Sequence, residues 1–401
     1  MDGDTERYGR GGVFVSICCF AYLVNFSRVG FAPLVDTFMD VFRVQPGTAG
    51  LVATLVWLGS ALTRLPTGYL LTHVERHHAI AGTGVLLVVA ASFTTLAPTI
   101  TVVAAGALFI GCATGVFYIA ANPLVTELYP ERVGWAVGIR GGSSQLAAVS
   151  APLLVGFVVV AFGWRGVFAG VALVGVILTA VFAFTSRRAT MPSAGVQDRD
   201  LLGAVREQWH LVLTGIVVVG VTGFVWQGLF NFYIPYLGER GFDDGTARTL
   251  LTVVFAAGVP AFFLSGRLAD RVRRVPLVLA IVSAFVCCLL ALTVVEGLLA
   301  VAVVSAVLGY VIHSLFPTMD AFLLGSLPDD SRASAYSAYS AVMMLMQAPG
   351  SLAVGVFVEY GVGYATVFRV YALVLAGVVT VLVALYVGGR LPTDAASPGS
   401  A

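Results

Sequence analysis

The chain is poor in charge. Only 11% of its 401 residues are charged, and all 22 basic residues are arginine, because the sequence contains no lysine. A soluble domain carries about a quarter charged residues. An ordinary soluble protein is therefore excluded, and a net charge of +1 argues for no particular partner.

Cysteine is also scarce, and the sequence lacks the usual cofactor motifs. The five cysteines lie inside apolar runs and show no metal-ligand spacing with a second pair, so we interpret them as small apolar residues. No Walker-type glycine-rich loop is present, so ATP is not the expected energy source and no cofactor is predicted. The N-terminal "MDGDTERYGRGG" lacks the features of a signal peptide. The first apolar run is therefore expected to be a retained span.

Long apolar runs dominate what is present. The chain is 59% hydrophobic, with a mean hydropathy of +0.95, and runs of about 18 or more apolar residues are typical of membrane-spanning helices. Twelve such runs begin near Val13, Thr48, Ala79, Val102, Ala136, Val167, Leu211, Ala247, Val275, Leu299, Ala333 and Thr366. The sequence therefore predicts an all-α membrane protein with 12 transmembrane helices, and not an enzyme.

The longest polar segment divides the predicted helices into two sets of six. We predict an N-terminal six-helix bundle over residues 1–185, a cytoplasmic linker over 186–210, and a C-terminal six-helix bundle with a short tail over 211–401. With the N-terminus inside, fourteen arginines fall in cytoplasmic segments and five in outer ones. This distribution satisfies the positive-inside rule and predicts a protein of the cytoplasmic membrane with both termini cytoplasmic.

The two halves of the sequence repeat each other. Residues 65–80 align with residues 263–278 at an offset of 198, which pairs Gly68 with Gly266. Pro130 pairs with Pro328, and Phe168 pairs with Phe368 near the same offset. Two six-helix units in the same orientation, joined by a cytoplasmic loop, are one of the known plans of transporters.

The stretch "GRLADRVRR", residues 266–274, resembles the loop signature of the major facilitator superfamily, found after the second helix of each half. "FGWRGVF" (162–168) and "LGSALTRLPTGYLL" (58–71) are similar to other patterns of that family. The first-half copy of the loop departs from the signature, with Thr72 in the place of the aspartate and Glu75 in that of a glycine. The resemblance covers essentially the whole chain and implies alternating access by two rocking halves.

The resemblance also implies that the loop forms a cytoplasmic gate. In that role Asp270 latches onto the fifth helix, with Arg132 as a charge partner. The predicted gating residues are Gly68, Arg132, Gly266, Asp270, Arg271 and Arg274. The alternative is a plain positively charged anchor on the cytoplasmic side.

Arg28 is the main candidate for substrate binding, because ionisable residues deep in a span are costly and rare. "NFSRVGFAP", residues 25–33, is similar to the first helix of organic-anion and sugar-phosphate carriers, in which an arginine suits a carboxylate or phosphate. The alternative is an outer-mouth arginine that pairs with Asp36. The further predicted substrate-binding residues are Asn25, Arg64, Asn122, Trp226, Gln227 and Asn231.

Coupling residues are less evident. His313 and Asp320 lie two turns apart on one helix face, as a proton-coupling pair or as a hydrogen-bonded structural pair. Arg140 is expected either to pair with Glu127 or to extend to the cytoplasm. Tyr336, Tyr339, Met343, Met346 and Gln347 either line a cavity or pack against neighbours. The histidines of "HVERHH" are interpreted as a solvated loop rather than a metal site.

These features together predict a monomeric secondary active transporter. It moves a small organic anion across the lipid bilayer, driven by a proton or sodium gradient, and binds no nucleic acid. Efflux of drugs or other hydrophobic compounds is the alternative, favoured by aromatic and methionine residues. A membrane sensor is a third possibility, although neither predicted terminus is long enough for a signalling domain.

Overall fold

The computed structural model describes residues 2–191, 203, 206–269, 271–328 and 332–391, and within these ranges it is helical with no β-strand. The chain divides into two compact units, Met1–Asp198 and Arg199–Ala401. Most of the predicted linker, residues 192–202 and 204–205, lies outside the described residues.

The first unit is built from six helices. They are α1 (Asp2–Val29), α2 (Val35–Phe42), α3 (Pro46–Leu70), α4 (Arg76–Thr95), α5 (Ile100–Leu128) and α6 (Val133–Arg188). A 3₁₀ turn at Ala32–Leu34 joins α1 to α2, so that the two form one apolar span. The 56 residues of α6 are interrupted at Gly163, whose φ of 72° lies in the left-handed region that favours glycine.

The second unit contains shorter pieces. They are α7 (Trp209–Gly215), α8 (Val221–Asn231), α9 (Tyr233–Glu239), α10 (Asp244–Ala269), α11 (Arg274–Leu292), α12 (Leu298–Ser326), α13 (Arg332–Gln347), α14 (Gly350–Glu359) and α15 (Tyr364–Val387). A π-helical turn at Ile216–Gly220 connects α7 to α8, and the three segments form one span.

The predicted fold class is confirmed. Eleven helices of the described chain are long and apolar enough to cross a membrane, and the longest covers two spans separated by the break at Gly163. The twelve spans begin within a few residues of the predicted positions. This agreement follows from the physics of the bilayer, where only regular hydrogen-bonded structure satisfies the backbone.

Each unit contains the same glycine-mediated helix contact. A Cβ atom added to Gly111 on α5 would overlap the carbonyl of Val56 on α3, and one added to Gly309 on α12 would overlap the carbonyl of Val254 on α10. Both members of the second pair lie 198 residues after their counterparts. Small residues allow such close approach of helices in lipid. The repeat therefore includes backbone packing as well as sequence.

Candidate functional site

Arg28 lies near the middle of the first span, Arg10–Phe42. Its Nη2 donates a hydrogen bond of 2.7 Å to Oδ1 of Asn25, one turn earlier on α1. The Asn25 amide nitrogen in turn donates to the backbone carbonyl of Ser144 on α6, at 2.6 Å. Asn25 is 6% exposed and therefore links the guanidinium to a second helix.

Two aromatic rings flank the Arg28 guanidinium. Its central carbon lies 4.0 Å from the ring centroid of Trp57 on α3 and 5.5 Å from that of Tyr118 on α5. The negative face of an aromatic ring attracts a cation over such distances. The Tyr118 hydroxyl shares a 3.1 Å hydrogen bond with the Ser144 hydroxyl, which ties this ring to α6 as well.

Arg140 on α6 reaches the same tyrosine. Its guanidinium carbon is also 5.5 Å from the Tyr118 ring centroid, and the residue is 8% exposed. Both expectations for Arg140 are therefore wrong. Glu127 pairs instead with Arg76, at 2.8 Å, because α4 and α5 bring these two residues together, and the burial of Arg140 rules out extension to solvent.

We call Arg28, Arg140, Trp57, Tyr118 and Asn25 the two-arginine cluster. Nε of Arg28, and Nε and Nη1 of Arg140, are buried and donate no hydrogen bond to a described residue. None of the four ion pairs among the described residues includes either arginine. The cluster thus presents positive charge and free donors inside apolar spans, an arrangement suited to an anion.

The second unit has an aromatic cluster at the equivalent place. Trp226 and Phe255 stand 198 residues after Arg28 and Trp57, and their ring centroids are 6.0 Å apart. His313 lies against both rings, 5.6 Å from Trp226 and 5.9 Å from Phe255. Phe262 completes the cluster at 6.1 Å from the histidine. The repeat therefore places arginine chemistry in one unit and aromatic chemistry in the other.

His313 and Asp320 do not form the hydrogen-bonded pair that was one of the two alternatives. The Nδ1 atom of His313 bonds the carbonyl oxygen of Gly309 at 2.7 Å, one turn earlier on α12. Asp320 accepts a 2.8 Å hydrogen bond from the hydroxyl of Tyr336 on α13. Seven residues of helix separate the two by about 10 Å along the axis, too far for direct contact.

Gln227 and Asn231 belong to the interior of the second unit. Asn231 donates from its amide nitrogen to the Gln227 carbonyl and to the Ser351 hydroxyl, both at 2.9 Å, and the Ser351 hydroxyl also donates to that carbonyl. Gln227 and Asn231 are 1% and 2% exposed. Their hydrogen bonds join α8 to α14.

The other two predicted substrate residues lie on α5 and α3. Asn122 is exposed on α5, immediately before Pro123, and Arg64 is half-buried on α3, two turns after Trp57 and on the same face.

On α13, Met346 packs on Gly220 and Gln347 on Gly223, and Tyr339 is buried against Gly215. Of the two alternatives for these three residues, a cavity lining or packing against neighbours, the contacts within the unit favour packing.

The predicted gate is described only in part. Arg132 is exposed in a 3₁₀ turn, Arg271 is exposed, and the Arg274 guanidinium packs against Gly325. Gly68 has open space around it within its own unit. Asp270 and the surroundings of Gly266 lie outside the described residues, so the latch stays a prediction.

The described part of the first unit has two further features, a cavity and a group of ligand-type side chains. A largely apolar cavity of about 640 Å³ lies between α1 and the two halves of α6, and a hydrogen bond between Tyr22 and Ser150 joins these helices beside it. Glu75, His77 and His78 bring their ligand atoms within 4.8 Å of one another. His73 is not in this group and hydrogen-bonds Thr72.

The fold and the charged, span-embedded cluster define a class: multi-pass helical membrane proteins that carry solutes. The family model of the Major Facilitator Superfamily matches residues 15–298 and 216–401. The chain belongs to this superfamily. It is therefore a multi-pass membrane transporter for a small molecule, and not an enzyme.

Individual relatives are distant. The purine ribonucleoside efflux pump NepI of Salmonella typhimurium (strain LT2) is 26% identical over 277 residues, which cover 67% of this chain and 68% of the pump. The MFS-type transporter pytF of Aspergillus terreus is 26% identical over 175 residues, which cover 42% of this chain and 57% of that protein.

Two solved structures share the fold. A bacterial homologue of the human lysosomal transporter Spinster, inward-facing and unoccupied, has a TM-score of 0.80 at 16% identity, with 98% of this chain and 99% of that chain covered. The D-xylose-proton symporter has a TM-score of 0.78 at 13% identity, with 96% and 98% covered. Identities this low support the fold and no more.

Proposed function

We propose that the chain is a secondary active transporter for a small organic anion. The observation that carries this proposal is the two-arginine cluster, in which Arg28 is fixed by Asn25 near the middle of its span. A charge in this position is energetically costly, so its presence inside a span supports a functional role. A carboxylate or phosphate bound to the Arg28 guanidinium, whose Nε is a free donor, offsets that cost by charge-assisted hydrogen bonds.

The proposal includes ion coupling and an orientation. A proton or sodium gradient drives transport, with His313 and Asp320 as the coupling residues, since both are ionisable groups on α12 and both make specific hydrogen bonds. The protein acts as a monomer in the cytoplasmic membrane with both termini in the cytoplasm. The excess of arginine in the predicted cytoplasmic segments supports this orientation.

A second candidate is efflux of an uncharged aromatic solute. The aromatic cluster of the second unit favours it, because Trp226, Phe255 and Phe262 offer ring faces for stacking around His313. The 26% identity to a purine ribonucleoside efflux pump suggests a nucleoside as the solute to test.

Transport into proteoliposomes separates the two candidates. Purified protein is reconstituted, a pH or sodium gradient is imposed, and uptake of labelled carboxylates, phosphate esters and purine nucleosides is compared. We expect anion uptake, and a loss of about tenfold or more in Arg28→Gln, because a charged hydrogen bond contributes about 1.5–3 kcal/mol.

Arg165→Gln is the matched control. This arginine also lies over an indole, 4.4 Å from the Trp164 ring, and also hydrogen-bonds within its unit, to the Ala97 carbonyl. It belongs to no part of the two-arginine cluster, so its loss should leave anion uptake intact. Anion uptake that survives Arg28→Gln contradicts the proposal, and nucleoside transport without anion transport supports the second candidate.

A further inference from the structure

We propose that Arg140 is a second anion-binding residue, and that the substrate therefore carries two negative charges. This inference rests on the proposed function, which it makes more specific. Arg28 and Arg140 come from different helices, yet each guanidinium carbon lies 5.5 Å from the centre of the same Tyr118 ring. The two charges are therefore no farther apart than twice that distance.

The burial of Arg140 indicates that it has a ligand. The residue is 8% exposed and lies within the candidate span Pro130–Arg188, so its guanidinium has little contact with solvent. Its Nε and Nη1 are buried without an acceptor among the described residues. A buried charge without a partner is strongly destabilising. A ring face at 5.5 Å offsets only part of that cost.

The charge count determines the class of ligand. A monocarboxylate neutralises one arginine and leaves the other unpaired, whereas a dianion neutralises both. Arginine donors form paired hydrogen bonds with either a carboxylate or a phosphate. The shared chemistry is thus two negative charges on oxygen, carried by a dicarboxylate or by a phosphate monoester.

The cluster has the rigidity that such recognition requires. Asn25 holds Arg28 and reaches the Ser144 carbonyl at 2.6 Å, and the Ser144 hydroxyl bonds that of Tyr118. Ser144 also lies one turn after Arg140 on α6, with its hydroxyl 3.5 Å from the Arg140 carbonyl. The positions of both arginines are therefore defined by contacts with the same tyrosine and the same serine. Such preorganisation reduces the conformational entropy that the side chains lose when an anion binds.

Binding of three probes to the purified full chain tests the inference. Succinate and butyrate have the same carbon number but differ by one carboxylate, and methyl phosphate supplies the phosphate dianion. At slightly alkaline pH, calorimetry should give succinate or methyl phosphate an affinity about tenfold or more above that of butyrate. The preferred dianion identifies the source of the charge.

Two substitutions then assign the preference to Arg140. Arg140→Gln should lower the affinity for the dianion by about tenfold and leave that for butyrate nearly unchanged, whereas Arg28→Gln should weaken both. Arg140→Lys keeps the charge without the paired donors, so it should keep the dianion preference at reduced affinity. Arg165→Gln should behave as wild type.

The outcomes separate this inference from the proposed function. If butyrate binds as tightly as succinate and methyl phosphate in the wild type, or if Arg140→Gln weakens butyrate and the dianion equally, the inference is wrong while anion transport stands. If none of the three anions binds the folded wild type, both are wrong. If Arg140→Gln does not fold, the wild-type ratio and Arg140→Lys decide.

Discussion

The glycine contact between α3 and α5 gives the sharpest test of the helix packing. In Gly111→Ala the new methyl group would overlap the carbonyl of Val56 and come close to the backbone nitrogen of Ser60. These are backbone atoms, which cannot rotate out of the way as a side chain does. The helices must therefore separate, and such overpacking costs about 1–3 kcal/mol.

A control glycine isolates the packing term. Gly82 on α4 has no atom within 4 Å of a built Cβ, so Gly82→Ala should gain up to about 1 kcal/mol from helix propensity alone. Gly111→Ala makes the same propensity gain, so the two variants should differ by the packing cost alone, about 1–3 kcal/mol in the free energy of unfolding. Gly309→Ala should lose as much as Gly111→Ala, because Gly309 meets the Val254 carbonyl in the same way.

The free energy is obtained from detergent-micelle unfolding followed by tryptophan fluorescence, with size-exclusion chromatography to confirm that each variant is folded at the start. A Gly111→Ala protein as stable as Gly82→Ala would refute the close backbone approach. A large loss in Gly111→Ala together with none in Gly309→Ala would refute the equivalence of the two contacts.

Two further predictions concern polar contacts. The ion pair of Arg76 with Glu127 is partly exposed, so a double-mutant cycle with Arg76→Gln and Glu127→Gln should give a favourable coupling energy of about 0.2–1 kcal/mol, and an unfavourable or undetectable coupling would contradict the pair. Asp243 accepts hydrogen bonds from the Thr246 hydroxyl and backbone N–H, which lower its pKa. The stability that the ionised Asp243 carboxylate contributes is complete above the unfolded pKa of about 3.9, and it is lost as the pH falls through the lower folded pKa. The Tm values of wild type and Asp243→Asn should therefore differ at neutral pH and converge at acid pH.

The spans and the repeat were predictable from the sequence, and the partners inside the site were not. Apolar runs between charged breaks locate helices because the bilayer fixes their length and composition. The contact of Arg28 with Trp57 depends on how α1 is rotated against α3, which hydropathy does not encode. The same holds for Glu127, which was one of two alternatives for Arg140 in the sequence and which the structure pairs with Arg76.

Helix periodicity also has a definite limit here. It correctly places His313 and Asp320 on one face of α12, but a shared face is not a contact at seven-residue spacing. Each residue instead bonds its own nearer partner, Gly309 for the histidine and Tyr336 for the aspartate. Only neighbours at three or four residues touch along a helix, which is the spacing of the Arg28–Asn25 hydrogen bond.

The repeat explains why the two units can differ in chemistry while sharing a scaffold. The offset of 198 preserves the contacts that depend on backbone shape, such as those of Gly111 and Gly309. The same offset relates Arg28 to Trp226. In the first unit Arg28 lies over an indole, and in the second unit Trp226 lies against a phenyl ring. The packing that sets helix distance is thus duplicated, and the side chains that face the interior of each unit are free to diverge. The proposed anion site therefore draws its arginines from the first unit, where the second unit has aromatic side chains at the equivalent positions.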